Sequence, residues 1–357
     1  MKILVYGAGV LGSLYAARLK SAGHAVSILA RGERAAELRT HGILLHAINK
    51  EKYTLIPIDV VESLEPEDAY DLVIVLVRSS QTASVLPALA ANRNTPNVLF
   101  LGNNAGGPEK ALEMLGRERV LVGFAGAGGI RDDHAVCYIE AKRGDQGATV
   151  IGELNGDITQ RLERIQWAFR NTGLPVVFSR DIDAWLKTHA AVVLPIACAI
   201  YAAGGDNYRL ANTPDAVVLM VRAMREGFNA LRKLGVPITP TKLSMMERLP
   251  EPLLVFRLRR MLDTQFAEIG LAGHANAARD EMAYLMEQFQ VLVQTSGVAT
   301  PALDLLKGWI NVEFLSLPEN SRQVRLRWRS TVISLGILAW LIALIVFLTR
   351  RFSRKTA

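Results

Sequence analysis

Short apolar runs recur through the first 180 positions of this 357-residue chain, and most are followed by a stretch with helical spacing. Lys2 to Tyr6, Ala25 to Leu29, Asp71 to Val77, Asn97 to Leu101 and Val120 to Gly126 are nearly unbroken in apolar character. Strands covered on both faces read this way, so a parallel sheet flanked by helices is expected. Between them, Ser13 to Ala22 sets Leu14, Ala17 and Leu19 against Arg18 and Lys20, and Glu33 to Thr40 is also helical in spacing. Ile43 to Ile48 and Tyr53 to Val60 suggest a hairpin, Tyr138 to Ala141 with Ala148 to Gly152 an antiparallel extension of the sheet, and Val176 to Phe178 its last strand. From Asp181 the period changes. Segments 183–203, 213–235, 254–272 and 275–296 read as helices, interrupted at Gly204-Gly205 and at Pro237 to Pro240.

The pattern predicts a Rossmann-type α/β domain at 1–180, then an all-α substrate and dimerisation domain at 181–317. A transmembrane helix at 330–349 follows. Ser330 to Thr349 carries no charge over twenty residues, enough to cross the roughly 30 Å hydrocarbon core of a bilayer. Charge sharpens this division. The net charge is +7, but eight of the 41 Lys and Arg lie in residues 322–357, which hold no acid. The rest of the chain is close to neutral, and a nucleic-acid-binding reading loses its support. Cys137 and Cys198 have no metal-ligand spacing, and no metal is expected. A membrane-tethered protein with its body in the cytoplasm is the expected location.

The chemistry is concentrated where the first strand ends. Gly7-Ala8-Gly9-Val10-Leu11-Gly12 follows that strand at once and opens a helix. In this context the first glycine allows the turn, the second admits a pyrophosphate and the third lets helix and strand pack closely. The second strand ends at Ala30-Arg31, where an NAD site commonly has an acid for the ribose hydroxyls. A guanidinium favours a 2′-phosphate instead, so NADP(H) is the expected cofactor. Arg34 reads as a solvated residue of the next helix.

With the loop, Arg31, a helical second half and Trp185-Leu186-Lys187 on its first long helix, residues 1–310 resemble the ketopantoate reductase (2-dehydropantoate 2-reductase) family. The resemblance implies NADPH-dependent reduction of a small 2-keto acid in a cleft between the two parts, and it admits a homodimer. It also implies roles for particular residues. Arg78 stands where the family has Lys and, with Gln81, would lie near the cofactor; Asn103 would sit beside the nicotinamide and the substrate. Lys187 would donate the proton, Glu281 would orient the substrate or pair with Lys187, and Asn207 would contact substrate. Two departures stand out. The family places Asn four and eight residues after the Lys, where this chain has Ala191 and Pro195. A reductase of the same family with a less polar substrate is therefore one alternative, and a non-catalytic, membrane-anchored NADP(H) sensor is another. His189, about 160° around the helix from Lys187, reads as a packing or capping residue.

Overall fold

The computed structural model describes residues 1–48, 50–140, 147–311 and 314–327. Strand β1 (Lys2–Tyr6) leads into helix α1 (Val10–Ser21), and β2 (Ala25–Leu29) lies parallel to β1 with Ile3 opposite Val26. Helix α2 (Gly32–His41) precedes the expected hairpin of β3 (Ile43–Ala47) and β4 (Tyr53–Ile56), after which β5 (Asp59–Val61) rejoins the main sheet beside β2. Next come β6 (Leu72–Val75), α3 (Thr82–Ala91), β7 (Val98–Leu101), α4 (Glu109–Leu115) and β8 (Val120–Phe124), the three strands mutually parallel. Ile3, Leu4, Leu72, Val73, Ile74, Val98 and Leu99 are all fully buried, which explains their unbroken apolar runs.

One expectation is redrawn. Strands β9 (Gly129–Asp132) and β10 (Ala135–Tyr138) leave the main sheet, and β10 pairs with β3 to make a separate four-stranded sheet, β4-β3-β10-β9. The antiparallel extension is instead β11 (Thr149–Gly152), placed between β8 and β12 (Val176–Phe178), with α5 (Gln160–Ala168) connecting β11 to β12. Main-sheet order is β12-β11-β8-β7-β6-β1-β2-β5. The chain therefore reverses direction of travel between β1 and β6, and such a switch point leaves a crevice at the carboxyl ends of the strands.

The helices begin with α6 (Ile182–Ala202), capped by the Asp181 carboxylate, followed by α7 (Asn207–Ala211), α8 (Pro214–Lys233) and α9 (Thr241–Glu247). The stretch expected as one helix over 254–272 is divided. Helix α10 (Glu251–Leu262) stops, and the Thr264 hydroxyl starts α11 (Gln265–Ala267) by accepting from the Ala267 amide. A π-turn over Glu268–Gly273 then runs into α12 (His274–Ala277), α13 (Arg279–Ser296) and α14 (Pro301–Lys307). Helices α6, α8 and α13 meet at Gly227, where an added Cβ would lie 3.1 Å from the Ala191 Cβ and 3.3 Å from Phe289. Among the described residues α6 is the one helix long and apolar enough to cross a membrane, and 67% of its apolar window is buried in the fold. The expected span at 330–349 lies outside the described residues.

Candidate active site

The glycine loop has the shape its sequence implies. Gly7 holds φ at +116°, and a Cβ there would lie 2.4 Å from the Leu76 carbonyl oxygen; one at Gly12 would lie 1.9 Å from that of Gly7. Gly9 differs, because nothing stands within 4 Å of where its Cβ would be. That open space faces the first turn of α1, whose leading amides have no intrahelical acceptor and whose dipole favours an anion. Arg34, read as solvated, is half-buried and fastened to the loop: Nε donates to the Ala8 carbonyl (3.1 Å) and Nη2 to Ser13 Oγ (2.9 Å). Glu37 pairs with Arg34, Arg131 and His134. Burial alone would raise its pKa, but these partners outweigh burial and bring it to about 2. No signal in the spacing marked Arg34, since its partners belong to residues 21 and 26 positions earlier. Arg31 sits at the end of β2, exposed, with Nε donating to the Glu62 carbonyl (3.2 Å) and Nη2 to Tyr6 Oη (3.4 Å). Among the described residues it faces no carboxylate within salt-bridge distance.

On the far side of the switch point, loops from the sheet meet α13. Asn103, just past β7, donates from Nδ2 to Glu281 Oε1 at 2.9 Å, and the two residues are 5% and 7% exposed. Arg78, just past β6, donates to Asp280 at 2.6 Å and to the Ala277 carbonyl at 3.0 Å. Gln81 is exposed beside it, at the end of a short turn. The structure thus joins Asn103 to Glu281 and sets Arg78 next to them.

Lys187 is not part of that cluster. Its ammonium pairs with Asp183 one turn earlier on α6, and its side chain is 17% exposed. The adjoining Leu186 is buried against the carboxyl edge of the sheet, in the same cavity wall as Asn103. His189 packs between the rings of Trp185 (5.2 Å) and Phe124 (4.1 Å), at the end of β8. Burial, with the nearby His274, lowers its pKa to about 4, and its Nε2 has no partner. Ala191 and Pro195 lie in the helical core rather than in a cleft. Asn207 stands apart from the other candidates: its amide donates to the Leu262 and Thr264 carbonyls (2.8 and 3.3 Å) and holds the end of α10.

A glycine loop on the first strand, a switch point beside it and helices closing the carboxyl edge define a Rossmann-type protein with a helical second part. The Ketopantoate reductase PanE/ApbA family model matches residues 3–156. Over those residues the chain is similar to the ketopantoate reductase family. It is 29% identical over 251 residues to the 2-dehydropantoate 2-reductase of Halobacterium salinarum, covering 70% of this chain and 80% of that protein. The Aquifex aeolicus 2-dehydropantoate 2-reductase is 26% identical, with 66% and 74% covered. In fold it is similar to the 2-dehydropantoate 2-reductase of Geobacter metallireducens (TM-score 0.71, 18% identity, 87% and 99% covered). It is similar also to D-mandelate dehydrogenase in a ternary structure with NADH and anilino(oxo)acetate (TM-score 0.70, 18% identity, 87% and 97% covered).

Proposed function

We propose that this protein is an NADPH-dependent reductase of a small 2-keto acid. The observation that carries the reading is the buried Asn103–Glu281 pair at the carboxyl edge of β7, across the switch point from an open glycine loop. The residues present suit a dinucleotide: the space at Gly9 admits a pyrophosphate, and Asn103 Oδ1 is a buried acceptor without a donor. Arg31, free of any carboxylate among the described residues, supports NADPH over NADH by offering a guanidinium to a 2′-phosphate. When bound, the cofactor supplies the hydride for the keto carbon.

The remaining tasks fall to this chain. Glu281 and Asn103 fix one another, so an incoming carbonyl meets groups that need not reorganise. Lys187 would give its proton to the developing alkoxide. At rest it pairs with Asp183, and turning toward the substrate exchanges that partner for the alkoxide. Ala191 and Pro195, buried in the helical core, support a substrate less polar than one read by two asparagines. The apolar, base-flanked sequence at 330–349 supports a membrane tether for this activity.

The test joins binding to turnover. Fluorescence titration should show tighter binding of NADPH than of NADH, and NADPH oxidation should follow with one or more 2-keto acids. Lys187→Ala should lower kcat by about 10²–10⁴ with cofactor affinity unchanged. Preference for NADH would overturn the cofactor assignment, and unchanged turnover in the variant would remove Lys187 from the reaction.

A further inference from the structure

Helix α10 turns apolar side chains and arginines outward together. Glu251, Leu254, Val255, Leu258 and Leu262 are its buried residues, which leaves Leu253, Phe256, Arg257 and Arg260 on the outer side. Spacings of three and four set those four in a single stripe. Leu253 is 42% and Phe256 56% exposed, and the Arg260 guanidinium lies 5.5 Å from the centre of the Phe256 ring. The outer face of a helix in water is ordinarily polar. Large apolar side chains set among arginines are instead the composition of a helix lying in the surface of a bilayer.

Beside α10 is an open groove of about 490 Å³, with Val218, Val324 and Leu326 as apolar walls and Arg259, Arg322 and Arg325 around them. The buried carboxylates nearby are already taken. Asp215 accepts from Ser321, Gln323 and Val324, and Glu251 from Arg222 and the Arg327 amide. Arg222 and Arg225 both face Glu251. By contrast Arg257, Arg259, Arg260, Arg322 and Arg325 have no carboxylate within salt-bridge distance among the described residues. Five guanidinium groups are thus left to an anionic partner.

The onward course of the chain says which one. Three residues after Arg327 the sequence enters Ser330 to Thr349, twenty residues without a charge. A face so close to the start of a membrane-spanning length lies at the level of lipid headgroups, where arginines and exposed apolar side chains are both satisfied. An acidic peptide or free phosphate would match the arginines but leave Leu253 and Phe256 in water.

We propose that α10 and the groove dock on anionic phospholipid. Headgroup phosphates meet Arg257, Arg260, Arg322 and Arg325, while Leu253 and Phe256 enter the acyl boundary. The proposal rests on the tether reading and deepens it: the body lies on the bilayer by one defined face.

The test uses the full chain in nanodiscs, either of phosphatidylcholine or of two parts phosphatidylcholine to one part phosphatidylglycerol. An environment-sensitive dye is placed at Leu253→Cys; the native Cys137 and Cys198 are buried and stay unlabelled. Only in the discs with phosphatidylglycerol should the emission shift to the blue and lipid-borne quenchers reach the dye, and added salt should reverse both. A basic residue near an anionic surface contributes about fivefold to binding. Arg322→Gln with Arg325→Gln should therefore lower the docking equilibrium about thirtyfold, with the melting temperature unchanged. A dye that stays in water in both discs, or docking that survives the double substitution, overturns the proposal. So does a dye equally shielded in pure phosphatidylcholine, which would assign the groove to the chain's own residues beyond Arg327. Flotation with vesicles of the same two compositions separates docking from tether. A chain that floats only with phosphatidylglycerol, and is released by alkaline carbonate, keeps the docking face and removes the tether. One that stays with both membranes while the dye remains in water keeps the tether and removes the docking face.

Discussion

The three glycines of the loop do separate jobs, and substitution should separate them. Alanine at Gly12 would press its Cβ into the Gly7 carbonyl at 1.9 Å, and alanine at Gly7 would meet the Leu76 carbonyl at 2.4 Å with φ in the left-handed region. Both contacts are with backbone, so helix and strand must part. Gly9→Ala meets nothing within 4 Å. It should therefore keep the melting temperature of the parent while raising the Kd for NADPH at least tenfold, because the methyl occupies the space kept for phosphate. Gly12→Ala should lose stability as overpacked cores do, by about 1–3 kcal/mol or more, and cofactor with it. Thermal melts beside fluorescence titrations distinguish the two; a stable Gly9→Ala variant with native affinity would mean the pyrophosphate lies elsewhere. This much was legible beforehand, because spacing alone dictates which glycine faces what. Arg34 was not legible, since a residue on an exposed helix acquires its role only when Ala8 and Ser13 fold beneath it.

Helix α6 shows what an element conceals in its sequence. Its helical spacing was legible, and the resemblance alone assigned Trp185-Leu186-Lys187 to the site. Which side faces the sheet follows only from the fold: Trp185 and His189, one turn apart, pack tilted on Phe124, while Ala191 lies against Gly227 of α8. The break in the predicted helix at 254–272 was hidden for a similar reason, because Thr264 becomes a cap only once α10 has ended. The His189 seam has a pH consequence. Its folded pKa of about 4 lies below the ordinary 6.5, so between those values the unfolded chain binds a proton that the folded chain refuses. Its contribution to stability is complete above pH 6.5 and is lost as pH falls toward 4, with a slope of at most about 1.4 kcal/mol per pH unit. His189→Phe, which keeps an aromatic ring on Trp185, should flatten that limb. Urea denaturation at pH 7, 5.5 and 4.5 measures it, and an unchanged slope would show that another group titrates there.

For the molecule as a whole, the question is where the folded body ends. The sequence pattern places the helical domain's end at 317, and residues beyond it, Ser321 to Arg327, are hydrogen-bonded to the helices as a strap. Asp215, buried at the start of α8, accepts from the Ser321 hydroxyl and from the Gln323 and Val324 amides (2.8 Å each for the two amides). Burial would raise its pKa, yet those donors hold it below the ordinary carboxylate range. Glu251, 1% exposed, takes Arg222 in a two-pronged pair (2.9 and 3.1 Å) and the Arg327 amide (2.9 Å). The strap reads as polar tail because the partners that explain it lie 70 to 110 residues earlier. A chain cut after Arg327 should therefore melt with the full-length body, whereas one cut after Leu317 leaves two buried carboxylates short of donors. A buried charged group deprived of partners costs about 3 kcal/mol or more, so the shorter form should melt well below the longer one, most clearly near neutral pH where both acids are ionised. The longer truncation also tests the tether: the full chain should remain with membranes after alkaline carbonate extraction, and the form ending at Arg327 should be released. Equal melting of the two truncations would show the strap to be ornamental, and a full chain that is released would leave the apolar stretch at 330–349 to some role other than anchoring.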